Sequence, residues 1–156
     1  NNKWYIKQDN DGNSVYCNRV TDDWAHFNIG SSDWSDYSIS YRVRFSAGKG
    51  GMAETHIRKS YDSDYRANIS SFGGIKVQFA KSANRLYDNI ASGFVSTKTG
   101  EWLDIHLSAS GDNIEYLVDG EVVVSVQDDR AKKGSGFFGV SPNSEVCIDD
   151  ILVNEI

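Results

Sequence analysis

The chain has 156 residues, of which 39% are hydrophobic and 24% charged, and a single proline, Pro142. This length and composition fit one globular core and exclude a disordered, collagen-like or proline-rich chain. A formal net charge of −6 argues against nucleic acid as a partner, and the absence of a long apolar run predicts no membrane insertion.

Apolar and polar residues alternate with period two along nearly the whole chain, which predicts an all-β protein. The clearest strand covers 37–45, where every second residue is apolar and the residues between are Ser or Arg. Further strands are predicted at 4–7, 14–19, 26–29, 52–58, 65–70, 75–79, 105–109, 114–118, 122–126, 136–140 and 145–153. Turns at 110–113 and at Asp119-Gly120 predict two consecutive hairpins, since Asp-Gly tolerates positive φ. A helical turn is considered only at 128–133.

About a dozen strands with one apolar face each predict two antiparallel sheets packed face to face as a β-sandwich. No internal repeat and no linker interrupts the pattern, so 1–156 is expected to be a single domain. The chain begins at Asn1 with neither an initiator methionine nor an apolar leader. We therefore expect a domain excised from a longer exported protein.

A series of short motifs along the chain carries a family resemblance. They are Trp34-Ser-Asp-Tyr37, Val43-Arg-Phe45, His56-Ile-Arg58, Tyr65-Arg-Ala-Asn-Ile69, Glu101-Trp102-Leu-Asp-Ile105, Ser110-Gly111-Asp112-Asn113-Ile114, Val118-Asp119-Gly120, residues 134–140 and Ile148-Asp149-Asp150-Ile151-Leu-Val153. The series resembles the concanavalin A-like lectin/glucanase superfamily of jelly-roll sandwiches. Within it, the chain looks most like the levan-binding type of carbohydrate-binding module, the laminin-G-like domains and the 3-keto-disaccharide hydrolase domain. The resemblance implies a jelly roll whose N- and C-terminal strands are neighbours.

One face of the three strands between residues 52 and 79 is polar. Period-two alternation places long polar side chains on the same side of each strand. A guanidinium fork beside carboxylate or amide groups supplies the convergent donors and acceptors that sugar hydroxyls need. The candidate carbohydrate-binding residues are Glu54, His56, Arg58, Arg66, Asn68 and Gln78. The alternative is an ordinary wet sheet face kept soluble by cross-strand ion pairs such as Glu54 with Arg66.

Aromatic rings near strand ends are candidate platforms for a sugar ring. Trp24, Trp34, Tyr61 and Tyr87 fall outside clear inward alternation. For Trp34, a structural plug at the start of its strand is the alternative to a binding role.

Catalysis is not expected. The glucanases of the superfamily carry Glu-x-Asp-x-x-Glu on one strand, because retaining hydrolysis needs two carboxylates about 5 Å apart. The corresponding strand here has the single carboxylate of Glu54. No Gly-x-Ser-x-Gly motif for a nucleophilic serine is present.

The resemblance also implies a structural Ca²⁺, since related jelly rolls hold the ion through an Asp of the final strand and oxygens of the N-terminal segment. Asp149 matches that strand position, and Asp9 and Asp11 are the candidate partners. A buried Asp149 needs either a cation or a ring of N–H donors. The same neighbouring terminal strands would bring Cys17 and Cys147 close enough for a disulfide; two buried thiols are the alternative.

Two functions follow from these features. The first is a non-catalytic carbohydrate-binding module that recognises a polysaccharide or glycan on its concave sheet. The second is an extracellular adhesion or structural domain of laminin-G-like type without a sugar pocket. In either case we expect an extracellular or cell-surface location and a monomer within a multidomain chain.

Overall fold

The computed structural model describes residues 3–20, 22–46, 50–81, 86–142 and 144–156. In these ranges the chain forms thirteen strands. They are β1 (Trp4–Gln8), β2 (Ser14–Asn18), β3 (Ala25–Ile29), β4 (Tyr37–Phe45), β5 (Met52–Lys59), β6 (Ser63–Ser70), β7 (Gly74–Lys81), β8 (Leu86–Phe94), β9 (Trp102–Ser110), β10 (Asn113–Val118), β11 (Glu121–Gln127), β12 (Ser135–Val140) and β13 (Val146–Glu155). Nowhere in these ranges is there a helix long and apolar enough to cross a membrane.

The strands form two antiparallel sheets. The seven-stranded sheet has the order β1-β2-β13-β4-β9-β10-β11, and the six-stranded sheet has the order β3-β12-β5-β6-β7-β8. Strand β2 near the N-terminus pairs with the final strand β13. The predicted β-sandwich and the predicted pairing of the terminal strands are confirmed.

The core lies between the two sheets and is made by the apolar members of each alternating strand. On β4, Ile39, Tyr41 and Val43 are at most 2% exposed, and on β6 Ala67 and Ile69 are equally buried. Because side chains of successive strand residues point to opposite faces, the remaining residues of β5, β6 and β7 form an outer face. That outer face carries the predicted polar stripe.

Both predicted hairpins are present. Asp119 and Gly120 have φ values of 52° and 81° and join β10 to β11. Gly111, with φ of 54°, lies in the turn between β9 and β10. Positive φ at both central positions is what a tight two-residue hairpin turn requires, and Asp-Gly adopts it at low cost.

Three local features differ from the prediction. Residues 128–133 form no helical turn. Strand β8 was not predicted, because most of its residues are exposed and its sequence lacks a one-sided apolar pattern. In β5, Arg58 adopts a φ of 54° next to an irregularity in the pairing with β12. A bulge of this kind breaks the period-two alternation after His56.

A second, smaller apolar cluster lies on the outer side of the seven-stranded sheet. Cys17 and Cys147 are paired in register and joined by a disulfide. Val15 is buried beside them, and Tyr5 and Trp102 pack against the group. The predicted disulfide is therefore confirmed, and the alternative of two free thiols is wrong.

Candidate functional site

Strand register arranges the outer face of the six-stranded sheet into two rows that run across the strands. The first row consists of Asn28, Phe137, His56, Arg66, Gln78 and Asn89. The second row consists of His26, Gly139, Glu54, Asn68, Lys76 and Ser92. Five of the six predicted sugar-binding residues fall in these rows, on the three adjacent strands β5, β6 and β7.

His56 lies between two carboxylates at the centre of this face. Its Nε2 atom is 2.7 Å from Oε1 of Glu54, and its Nδ1 atom contacts Oδ2 of Asp64. Burial acts to raise the pKa of Asp64. The hydrogen bond with His56 and the positive charge of Arg66 contribute in the opposite direction, and the net shift lowers that pKa. The two acids and the imidazole thus form one largely buried, mutually contacting group beneath the more exposed side chains of the two rows.

Arg66 lies beside this group but does not form hydrogen bonds with it. Its Nε atom is 3.8 Å from Glu54 and its Nη2 atom is 3.7 Å from Asp64, both beyond hydrogen-bonding distance. Its guanidinium carbon is 4.6 Å from the ring centroid of Tyr87. In the part of the chain that the structure describes, the buried Nε of Arg66 has no hydrogen-bond partner. The side chain is 21% exposed and donates no hydrogen bond within the described ranges, so its accessible donors are available to a ligand.

Aromatic rings flank the polar centre on the β3 and β12 side. The ring of Phe137 lies 4.5 Å from that of His56 and is stacked at 5.3 Å on that of His26. Trp24 also borders this flank, since a Cβ placed on Gly139 would lie 3.5 Å from its ring and 3.3 Å from Phe137. A flat aromatic surface thus adjoins the polar rows, as stacking of a sugar ring requires.

The four predicted aromatic platforms separate into two groups. Trp24 and Tyr87 border the two rows, as described above. Trp34 packs over Gly30 and against Tyr37, with ring centroids 5.2 Å apart, and is a structural plug. Tyr61 is 97% exposed in the turn between β5 and β6. Among the described residues, it has no hydrogen bond or ring contact with either row.

Arg58 was predicted to share the polar face, and this is wrong. Its side chain is buried and its guanidinium donates to the carbonyl oxygens of Ser35 and Ala131 and to the carboxylate of Asp36. Its backbone N–H donates to the hydroxyl of Tyr37. The bulge at Arg58 turns the side chain away from the rows, so this arginine joins β5 to the 33–37 segment instead.

The predicted calcium ligands do not come together. Asp149 accepts hydrogen bonds from Nη2 of Arg42 at 2.8 Å and from Nδ2 of Asn13 at 2.7 Å. Asp9 accepts from Arg44 and from Nε1 of Trp102. Among the described residues, the one close group of possible metal ligands is Cys17, Glu145 and Cys147, and its thiols are already joined. Asp9, Asp11 and Asp149 thus do not form a close ligand group in the described chain, and calcium binding stays a prediction.

Asp64 and Phe137 contact His56 at the centre of the face but were not among the predicted site residues. Asp64 lies just outside the strand predicted at 65–70, whereas β6 begins at Ser63 and the spacing of Asp64, Arg66 and Asn68 places all three on one side. Phe137 precedes Phe138, and two adjacent phenylalanines do not reveal which one faces outward. The structure decides, because Phe138 is 1% exposed and lies in the core.

No protein-family model matches the sequence, and no curated protein does. Solved structures with the same fold include the carbohydrate-binding module CBM66 from Bacillus subtilis, with a TM-score of 0.72 and 17% identity over 98% of this chain and 96% of that one. Sheep galectin-11 has a TM-score of 0.63 and 6% identity over 83% and 96%. Alginate lyase A1-II′ has a TM-score of 0.64 and 11% identity over 100% and 84%. The chain thus has the concanavalin A-like jelly-roll fold that its motifs predicted, a fold common to modules, lectins and a lyase.

Proposed function

We propose that the chain is a non-catalytic carbohydrate-binding module that binds a glycan on the outer face of the six-stranded sheet. The observation that carries the proposal is the state of Arg66, which is positioned by ion pairs and a ring contact, is 21% exposed, and donates no hydrogen bond in the described chain. A partly exposed guanidinium whose donors are unpaired can form charge-assisted hydrogen bonds with a ligand. A sugar hydroxyl is a suitable acceptor.

The neighbours of Arg66 supply the complementary groups. Among the described residues, the side-chain amides of Asn68 and Gln78 form no recorded hydrogen bond, so each offers both donors and an acceptor. Their positions are fixed by register beside Arg66 on β6 and β7. Convergent polar groups on a rigid sheet, next to the stacked rings of Phe137 and His26, fit a ligand that has hydroxyl edges and an apolar ring face.

The arrangement of the acids supports binding without catalysis. A retaining glycosidase needs one carboxylate as nucleophile and a second as acid, both free to reach the sugar. Here Glu54 and Asp64 are both engaged by the same imidazole, with 14% and 3% of their side chains exposed. Neither is free to act alone, so sugar turnover is not part of the proposal.

The proposed location is extracellular or at the cell surface. The Cys17–Cys147 disulfide supports this, because stable structural disulfides belong mainly to oxidising compartments. A glycan of a cell envelope or of an external polysaccharide would be accessible there.

A glycan array probed with the wild type, Arg66→Ala and Glu54→Gln tests the proposal. We expect wild-type binding to at least one glycan and a loss of about tenfold or more in each variant, since a charge-assisted hydrogen bond contributes about 1.5–3 kcal/mol. Arg19→Ala is the matched control, because Arg19 stacks on Tyr5 away from the two rows.

An array on which the wild type binds nothing would overturn the proposal and favour the adhesion alternative. Binding that survives Arg66→Ala unchanged would place any sugar site elsewhere on the molecule.

A further inference from the structure

Two exposed phenylalanines lie at one end of the same outer face. The alternation that produces the two rows continues two residues further along each strand. On β7 it leads from Lys76 to Gly74 and on β8 from Ser92 to Phe94, and Gly74 pairs with Phe94. On β5 and β6 the same step leads to the pair Met52 and Ser70. A third row therefore adjoins the second, and its outermost member, Phe94, is 70% exposed.

Phe72 extends this apolar end over the turn between β6 and β7. It is 74% exposed, and its ring stands against the backbone of Gly50, where an added Cβ would lie 2.6 Å from Cε2. Phe94 stands in the same way against Gly73, with a distance of 3.3 Å. Gly73 is the residue whose φ of 86° the turn requires. The geometry of the turn thus explains the glycine at position 73, but it does not explain why the exposed residues beside it, Phe72 and Phe94, are phenylalanines.

We propose that Phe72 and Phe94 form a distal subsite of the glycan-binding face, which makes the interior of a linear oligosaccharide, rather than a single terminal sugar, the ligand. The inference rests on the proposed function of the two rows. The proposal is supported by position, because both rings lie at one end of the sheet face that carries Arg66 and Asn68.

The dimensions of the face agree with a chain-like ligand. Ser70 lies four residues from Arg66 along β6, about 13 Å at the usual rise of a strand, and Phe72 lies beyond it. The side chains between the two ends are those of Asn68, Ser70, Lys76 and Ser92, which are all polar and carry hydroxyl, amide or ammonium groups. One sugar ring cannot span this distance, whereas an oligosaccharide that follows β6 contacts both ends.

The test uses levan, β-1,4-galactan, β-1,4-glucan and alginate, each as a disaccharide and as longer oligosaccharides of the same linkage, with binding measured by calorimetry. For the series that binds, we expect the longer oligosaccharide to bind about tenfold more tightly than the disaccharide. The double variant Phe72→Ala, Phe94→Ala should remove that advantage and leave the affinity for the disaccharide within about twofold. Leu86→Ala is the control, since Leu86 is equally exposed at the far end of β8.

Equal affinity of the wild type for short and long members, or an advantage that survives the double variant, overturns the distal subsite while the two-row site stands. If no series binds, or if Arg66→Ala leaves the affinity for the disaccharide unchanged, the proposed function fails, and the subsite with it. Melting curves of each variant verify that the fold is intact, which is expected because both rings are mainly exposed.

Discussion

The outer faces of the two sheets carry the same residue types, but their arginines are hydrogen-bonded to carboxylates on one sheet and not on the other. On the seven-stranded sheet, the ring of Trp102 lies between the guanidinium groups of Arg42 and Arg44, at 5.1 and 4.6 Å. Asp9, in the turn between β1 and β2, accepts from both Arg44 and Trp102. On the six-stranded sheet, Arg66 stacks on Tyr87 and faces two carboxylates without a hydrogen bond to either.

The difference shows that composition does not identify a binding face. Arginine, carboxylate and aromatic residues occur on both sides of the sandwich. On the seven-stranded sheet the chain itself supplies the partners. Arg44 and Trp102 donate to Asp9 in the β1–β2 turn, and Arg42 lies 2.8 and 2.9 Å from Asp149 and Asp150. On the six-stranded sheet Arg66 has no hydrogen-bond partner within the described ranges, and the proposed glycan would supply one.

The largest effect is expected from removing the disulfide on the outer face of the seven-stranded sheet. The double variant Cys17→Ser, Cys147→Ser removes a link between residues 130 positions apart. The chain-entropy model predicts a loss of about 4 to 5 kcal/mol in the free energy of unfolding. Urea unfolding measures it, with the thiol-reduced wild type as the control. Affinity for the glycan should be retained wherever the variant is folded, because the disulfide belongs to the other face. An unchanged free energy of unfolding would contradict this account of the disulfide.

Arg58 and Arg66 provide the next test, because they are two arginines of neighbouring strands with opposite roles. Arg58→Ala leaves two buried carbonyl oxygens without their donor and should lower the free energy of unfolding by about 3 kcal/mol. Arg66→Ala removes longer ion pairs and the ring contact with Tyr87, and should cost about 1 kcal/mol. Equilibrium unfolding in urea compares the two. A larger loss for Arg66→Ala would reverse the assignment of structural and binding arginine.

The free energy of unfolding measured as a function of pH isolates the contribution of the Asp9 carboxylate. Hydrogen bonds from Arg44 and Trp102 lower the pKa of Asp9 from 3.8 to about 2. Because the folded-state pKa lies below the unfolded value, the stabilisation is present above pH 3.8 and is lost as the pH falls toward 2. Asp9→Asn should therefore be less stable than the wild type at neutral pH, and the difference should shrink near pH 2.

The control for the pH series is Glu121→Gln, which alters an exposed carboxylate of β11. A difference between Asp9→Asn and the wild type that stays constant from neutral pH to pH 2 would show that the ion pair does not contribute in this way.

Calcium gives the smallest expected effect. Arg42 and Asn13 already supply the donors that Asp149 needs, and Arg44 neutralises Asp9. We expect the melting temperature to be the same in EDTA and in millimolar calcium. A melting temperature that rises with calcium would demand a cation site, since binding to the native state stabilises by mass action. Asp149→Ala would then show whether this carboxylate belongs to the site.

Sequence reasoning predicted the sandwich, most strands and the placement of five of the six candidate residues on one sheet face, because all of these follow from period-two alternation. It failed at Arg58, where a bulge with positive φ ends the alternation, and at β8, an edge strand without an apolar face. Neither feature has a signature in residue type alone. Asp149 was assigned to a cation because the sequence does not show which donors the fold brings to a carboxylate.

The most direct test of the central claim is an NMR titration of the wild type with the tightest-binding glycan of the array. The account predicts that shift changes concentrate on the two rows, at Arg66, Asn68 and Gln78 and at the side-chain resonances of Phe137. The amides around Trp102 and Arg44 on the seven-stranded sheet should stay unchanged. Shift changes centred on the seven-stranded sheet, with the two rows unaffected, would contradict it.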